Sequence, residues 1–145
     1  MSRTAIDIYQ TFLDETSALV WTGQIRALSA RFVYPNTVRT MNVETRVESR
    51  EEMERMVDAF RANMKQLGAT AYHRICTDAV MAADGQSIQG GHTSYLLRGA
   101  ATVVEPYKAD SSYVLRDGVW MGAGITCRVR NADVQINAPH RTGLP

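Results

Sequence analysis

The change from helical to strand periodicity that decides the fold lies within residues 49–83, SREEMERMVDAFRANMKQLGATAYHRICTDAVMAA. Ser49 and Glu52 form a capping box at its start, and Gly68 supplies a C-terminal cap for a helix. Between these signals apolar residues recur along one helical stripe: Met53, Met56, Val57, Phe60, Met64 and Leu67. The pattern predicts a helix from residue 49 to residue 67, followed by strands.

Four strands are predicted after this helix, at residues 69–83, 87–98, 102–116 and 119–130. The turn signals between them are Asp84-Gly85, Gly99 and Asp117-Gly118. Consecutive short turns predict antiparallel hairpins, and therefore a meander.

Two further helices precede this region, an amphipathic one at residues 5–20 and a shorter one from Ile25 to Phe32 that stops before Pro35. Residues 36–48 are expected to form a short strand plus a loop, and residues 131–145 an extended C-terminal arm. Helices grouped first and strands grouped afterwards predict an α+β fold, with three N-terminal helices packed on a curved, mainly antiparallel sheet around a pocket. One domain, residues 1–145 with a core at about 5–130, is expected from the length.

The composition excludes several classes of partner. A net charge of +1 without a basic block disfavours nucleic-acid binding, and no stretch is apolar enough to span a membrane. No signal peptide is recognisable, so a cytoplasmic location is expected. Cys76 and Cys127 have no metal-ligand spacing and are interpreted as buried free thiols, with a disulfide as the alternative. No metal or cofactor is expected.

Particular residues add a resemblance to a known family. They are FVYP at residues 32–35, SREEMERMVDAF at 49–60, LGATAYHRICTDAVMAADG at 67–85 and YVLRDGVWMGAGI at 113–125. Together they resemble the nuclear transport factor 2-like superfamily, also called SnoaL-like or cystatin-like, over about residues 5–130. This resemblance implies a cone-shaped fold that serves isomerases, cyclases, dehydratases and non-catalytic binding proteins, so function stays open.

Three residues are candidates for chemistry. His73 lies early in the first long strand, and simple alternation groups it with Ile75, Ala79 and Met81, the more apolar face, which should point at the helices. There its imidazole could act as a general base, or be fixed by a hydrogen bond to a tyrosine. The resemblance implies that His92 on the next strand assists, although Gly90 and Gly91 leave its facing open. It also implies a polarising role for Tyr34 at the exit of the second helix.

Aromatic and methionine side chains are expected to line the pocket. The set is Tyr9, Trp21, Phe32, Met56, Phe60, Tyr95 and Tyr113. Asp110 alternates with Tyr107, Ser111 and Tyr113, so it is expected on the outer face in a surface salt pair, and the same interpretation applies to Asp78.

The resemblance brings no complete catalytic set. No carboxylate occurs between Glu15 and Glu44, where dehydratase-like and isomerase-like members would place one. Three functions stay open: a cofactor-independent lyase, isomerase or cyclase with a His base acting on a small cyclic or aromatic molecule; a non-catalytic ligand-binding protein; and an association module. A homodimer through the outer face of the sheet is expected in each case.

Overall fold

The computed structural model describes residues 3–137. Its helices are α1 (Ala5–Thr22), α2 (Ile25–Ser29), α3 (Arg50–Gln66) and α4 (Asn131–Val134). Its strands are β1 (Asn36–Arg39), β2 (Glu44–Val47), β3 (Ala71–Met81), β4 (Ser87–Arg98), β5 (Ala101–Thr102), β6 (Tyr107–Arg116) and β7 (Val119–Cys127). The predicted α+β fold is confirmed.

Local signals in the sequence set the ends of the two long helices. Thr4 and Asp7 form a capping box at the start of α1, and Gly23 ends it in the left-handed conformation with φ 78°. At α3, the Ser49 hydroxyl accepts a hydrogen bond from the Glu52 backbone N–H. The Glu52 carboxylate accepts from the backbone N–H of Glu48, one residue earlier than a capping box requires. The α3 cap is therefore only half of the predicted box.

The sheet has the strand order β2-β1-β7-β6-β4-β3, with β5 paired to β4. The predicted meander is confirmed, because β3, β4, β6 and β7 pair in succession and antiparallel. The pair of β1 with β7 is parallel and adds the β1–β2 hairpin to the meander. Register shifts in β3 and between β6 and β7 mark bulges, which bend a sheet.

Several predicted boundaries are wrong. The strand predicted at residues 102–116 is divided into β5 and β6, with Val103 to Pro106 between them outside the ladder. The extended arm predicted for residues 131–145 is wrong as far as residue 137, because Asn131–Val134 is helical and Val134 and Asn137 are fully buried. The part of the arm beyond residue 137 lies outside the described residues.

The helices cover one face of the sheet, and the apolar core lies between the two layers. One core cluster joins α3 to β6 and β7 through residues such as Met56, Phe60 and Ala109. A second joins α1 to β4 and β6 through residues such as Tyr9 and Tyr113. No helix within residues 3–137 has the length and hydropathy needed to cross a bilayer. The expected cytoplasmic location stays a prediction.

Candidate functional site

An internal cavity of about 100 Å³ lies between the helices and the inner face of the sheet. We call it the cone cavity. Its apolar wall comes mainly from α2, the segment after α2, β1 and α3: Leu28, Phe32, Val38, Met53, Val57 and Phe60. Ile136, just after α4, also lines it. The helices and the C-terminal segment therefore enclose the space that the curved sheet leaves open.

The sheet contributes the polar part of the wall through strand alternation. Tyr107, Ser111 and Tyr113 of β6 occupy alternating positions and are buried, and Ser94 of β4 points to the same side. The remaining polar groups in the wall are Thr16, Asn36, Tyr72, Arg74 and the Cys127 thiol. Within residues 3–137, no carboxylate and no imidazole lines the cone cavity.

Arg74 is the charged residue in this wall. Its Nε donates to the Ser17 hydroxyl at 2.7 Å, and its Nη2 donates to the Leu13 carbonyl oxygen at 3.2 Å and to the Thr16 hydroxyl. The guanidinium lies over the Tyr72 ring, 5.4 Å from its centroid. Its Nη1 donates to no described residue, and Arg74 forms no ion pair with a carboxylate within residues 3–137.

The titratable groups around Arg74 are held in their protonated forms. Burial raises the pKa of the Tyr72, Tyr107 and Tyr113 hydroxyls, and the positive charge of Arg74 opposes that rise in each case. Burial likewise raises the pKa of the Cys127 thiol to about 12, against the opposing effect of Arg74. At neutral pH the wall therefore presents hydrogen-bond donors and one cation.

His92 lies behind this wall. Its side chain is buried, and its Nδ1 lies 2.7 Å from the Tyr9 hydroxyl, whose ring packs edge-on against Tyr113 with centroids 4.8 Å apart. Burial, reinforced by the charge of Arg74, lowers the pKa of His92 to about 3. The imidazole is therefore neutral at physiological pH, and its Nε2 has no hydrogen-bond partner among the described residues.

Gly90 allows Tyr9 to reach His92. A Cβ atom at Gly90 would lie 2.2 Å from the Asp78 carbonyl oxygen and 2.9 Å from the Tyr9 ring. The backbones of β3 and β4 therefore approach each other closely at Gly90. The cause of this approach is the bulge in β3, where the register shifts between Cys76 and Asp78.

The same bulge explains why the predicted facing of His73 is wrong. His73 is exposed on the outer face, whereas Tyr72 and Arg74 point toward the helices. The extra residue at the bulge reverses the alternation, so Ala79 and Met81 face inward as predicted. Ile75, grouped with His73, is 51% exposed. His73 and His92 therefore lie on opposite faces of the sheet.

The other predicted pocket residues divide into three groups. Phe32, Phe60 and Tyr113 line the cone cavity. Tyr9 and Met56 are buried in the core without lining it.

The last two predicted pocket residues, Trp21 and Tyr95, and the candidate for chemistry Tyr34 lie away from the cavity, which corrects their predictions. Trp21 is 40% exposed, and Tyr95 pairs with His73 on the outer face. The Tyr34 hydroxyl donates to the Ser29 carbonyl oxygen at 2.7 Å, outside the cavity.

Sequence reasoning missed Arg74 and Ser94. Simple alternation puts Arg74 on the face opposite His73, and the bulge in β3 reverses that assignment, while Gly90 and Gly91 leave the facing of β4, and so of Ser94, open. The outward position predicted for Asp110 is confirmed, and its partner is Arg128 at 3.1 Å. Asp78 is also exposed, and both cysteines are free thiols. Within residues 3–137 no three His, Cys, Asp or Glu side chains come together as a metal site.

Comparison with known proteins identifies the fold. The sequence matches no protein-family model and no curated protein. Among solved structures, Aln2 from a Streptomyces species is 18% identical with a TM-score of 0.65, over 90% of this chain and 93% of that one. An NTF2-like protein with a cystatin-like fold from Novosphingobium aromaticivorans is 10% identical with a TM-score of 0.63, over 92% and 87%.

A domain of unknown function with a cystatin-like fold from Nostoc punctiforme is 12% identical with a TM-score of 0.65, over 99% of this chain and 90% of that one. The chain therefore has the nuclear transport factor 2-like, cystatin-like fold, as its sequence resemblance implied. At these identities the likeness extends to the fold and not to an activity.

Proposed function

We propose that the protein binds a small, largely apolar molecule in the cone cavity without histidine-based catalysis. The observation that carries this proposal is the composition of the cavity wall, which is apolar on the helical side and carries convergent hydrogen-bond donors on the sheet side. Such a combination is typical of ligand sites, where apolar surface gives affinity and a few polar groups give orientation.

The wall argues against the lyase, isomerase or cyclase alternative. A general base must reach the proton that it removes and must be able to accept it near neutral pH. His73 is on the outer face, and His92 is outside the wall with a pKa lowered to about 3. The groups that do line the cavity within the described residues donate hydrogen bonds, which suits binding better than proton abstraction.

The cavity volume limits the size of the ligand. At about 100 Å³ it is smaller than an engineered cavity of about 150 Å³ that binds benzene. A molecule of a few non-hydrogen atoms fits the closed cavity, whereas a larger cyclic or aromatic molecule requires side chains in the wall to move.

Amide chemical shifts recorded by NMR during titration with cyclopentanone and isobutyramide test this proposal. We expect saturable shifts at residues around the cavity, such as Ser94, Ser111 and Tyr113. S94L fills the cavity and should abolish them, whereas T93L adds the same side chain to the opposite face of β4 and should not. Shifts that persist in S94L, or that never arise near the cavity, would overturn the proposal.

We also propose that two copies of the chain associate through the outer face of the sheet. Ile75 and Val80 of β3 support this pairing, because they are 51% and 69% exposed on a face that the helices do not cover. Light scattering at high micromolar concentration should give the mass of a dimer. I75K and V80K should give monomers, while M41K changes an equally exposed residue in the β1–β2 turn and should not. A monomeric parent chain would contradict the proposal.

A further inference from the structure

The charge of Arg74 has no counter-ion in the described part of the chain. Five ion pairs occur within residues 3–137, and none includes Arg74. Arg31, whose guanidinium lies over the Phe12 ring of α1, pairs with Glu15 at 3.1 Å. An arginine that lines an apolar cavity without a carboxylate is unusual, because an uncompensated charge next to a low-dielectric space is costly. A negative group on the ligand would supply the missing partner.

The groups around Arg74 are also suited to an anion. Tyr72, Tyr107 and Ser94 line the same cavity as Arg74, and burial raises the pKa of both phenols, which therefore stay protonated. A carboxylate accepts hydrogen bonds at two oxygens, and bonds from charged donors are the stronger kind. The Nη1 of Arg74, which donates to no described residue, is free to supply one of them.

We propose that the ligand of the cone cavity is a small monocarboxylate whose carboxylate binds Arg74 and whose short apolar chain lies against the helical wall. This inference rests on the proposed function and names its ligand class. Val57 and Phe60 of α3 form the part of the wall that the apolar chain contacts. The volume of about 100 Å³ restricts that chain to a few carbon atoms.

A purely structural role explains only part of the arrangement. The bonds from Nε and Nη2 to Ser17, Leu13 and Thr16 join β3 to α1, and that connection would be useful without any ligand. It does not require Arg74 to line the cone cavity, nor the wall of that cavity to lack carboxylates. The structural and the ligand-binding roles therefore predict different effects of the same substitutions.

Isothermal titration with isobutyrate and isobutyramide near pH 7 separates the two roles, because these probes have the same shape and differ in charge. We expect isobutyrate to bind about ten-fold more tightly than isobutyramide, as one additional charge-assisted hydrogen bond allows. The preference should disappear in R74Q. It should persist in S17A, which removes one bond to α1 and leaves the guanidinium in place.

Arg74 guanidinium ¹⁵N resonances of the unaltered protein provide a second measurement, which holds even if R74Q does not fold. Isobutyrate should shift them at saturation and isobutyramide should not. Equal affinity for the two probes, or unshifted guanidinium signals, would overturn this inference and leave the proposed function standing. Absence of binding by both probes would overturn this inference, and the proposed function falls with it if cyclopentanone also fails to bind.

Discussion

The Tyr9 hydroxyl of α1 lies 2.7 Å from Nδ1 of His92 in β4, and both side chains are buried. This contact is a polar link between α1 and β4, an interior strand of the sheet. Since Nε2 of His92 has no partner among the described residues, the bond to Tyr9 is the one that satisfies the imidazole. Loss of this bond leaves the buried imidazole without any hydrogen bond, and an unsatisfied buried polar group destabilises the folded protein.

Y9F should lower the free energy of unfolding by about 1–3 kcal/mol for this reason. H92L should lower the free energy of unfolding by a similar amount, because the Tyr9 hydroxyl then loses its hydrogen-bond acceptor. The double variant should cost less than the sum of the two, since neither orphaned group remains. Urea denaturation measures all three, with Y95F on the outer face as the control. Additive effects would show that the contact contributes nothing.

Stability should fall as the pH is lowered because of His92. Burial lowers the pKa of His92 to about 3 in the folded chain, whereas an unfolded histidine has a pKa of about 6.5. Between these pH values the unfolded chain binds one more proton than the folded chain. The free energy of unfolding therefore rises with pH across this window and reaches its full value above the window. Between about pH 6.5 and pH 5 the loss should be about 2 kcal/mol.

Urea denaturation at a series of pH values, with H92L as the test variant, checks this dependence. H92L should be less stable near neutral pH, and its stability should change much less between pH 7 and pH 5. H73Q, which removes an exposed imidazole, should keep the parent's dependence, because the proton uptake of the buried ring is unaltered. An unchanged slope in H92L would refute the assignment of this transition to His92.

G90A should destabilise the protein by more than about 2 kcal/mol, since the added Cβ would lie 2.2 Å from the Asp78 carbonyl oxygen. Backbone on the neighbouring strand cannot move aside without disturbing the β3–β4 ladder. Q89A, one residue earlier and exposed, is the matched control and should be close to neutral. Thermal unfolding followed by circular dichroism measures both, and equal effects of the two would contradict the close approach.

V57A should change the size of ligand that the cone cavity accepts. Truncation removes two methyl groups from the wall, at a cost of about 2 kcal/mol in stability. Benzamide should then bind more tightly and isobutyramide more weakly than in the parent chain. V47A removes the same atoms from a buried site outside the cavity and should give no gain for benzamide. Tighter binding of benzamide to V47A as well would show that the effect comes from general destabilisation of the core and not from the size of the cavity.

The helices and the hairpins could be predicted from the sequence because their signals are local. Capping residues set the start of α1 and α3, and Asp117-Gly118 sets the turn between β6 and β7. The parallel pairing of β1 with β7 could not be predicted in this way, because it joins residues such as Val38 and Ile125 that are far apart in the chain. No local signal encodes such a contact.

The candidate site was predictable only where alternation is unbroken. In β6, the regular pattern correctly placed Tyr107, Ser111 and Tyr113 together on the inner face. In β3, a count of apolar residues over the whole strand predicts that the positions in alternation with Ala79 and Met81 face inward. Because of the bulge, those positions face outward in the first half of the strand. Arg74 was lost from the prediction and His73 was wrongly placed by the same shift of one residue.

Because of the bulge, β3 can lose one particular residue without a change in which side chains face inward. Cys76 pairs with His92 and Asp78 with Gly91, so Thr77 is the residue without a partner in the ladder. Loss of a residue elsewhere in the strand would turn one half of it over and place outward side chains in the cavity wall. Loss of Thr77 would join the two halves into a regular strand with Arg74 and Ala79 still facing inward. Chain length can therefore change by one at this position without altering which β3 side chains line the cone cavity.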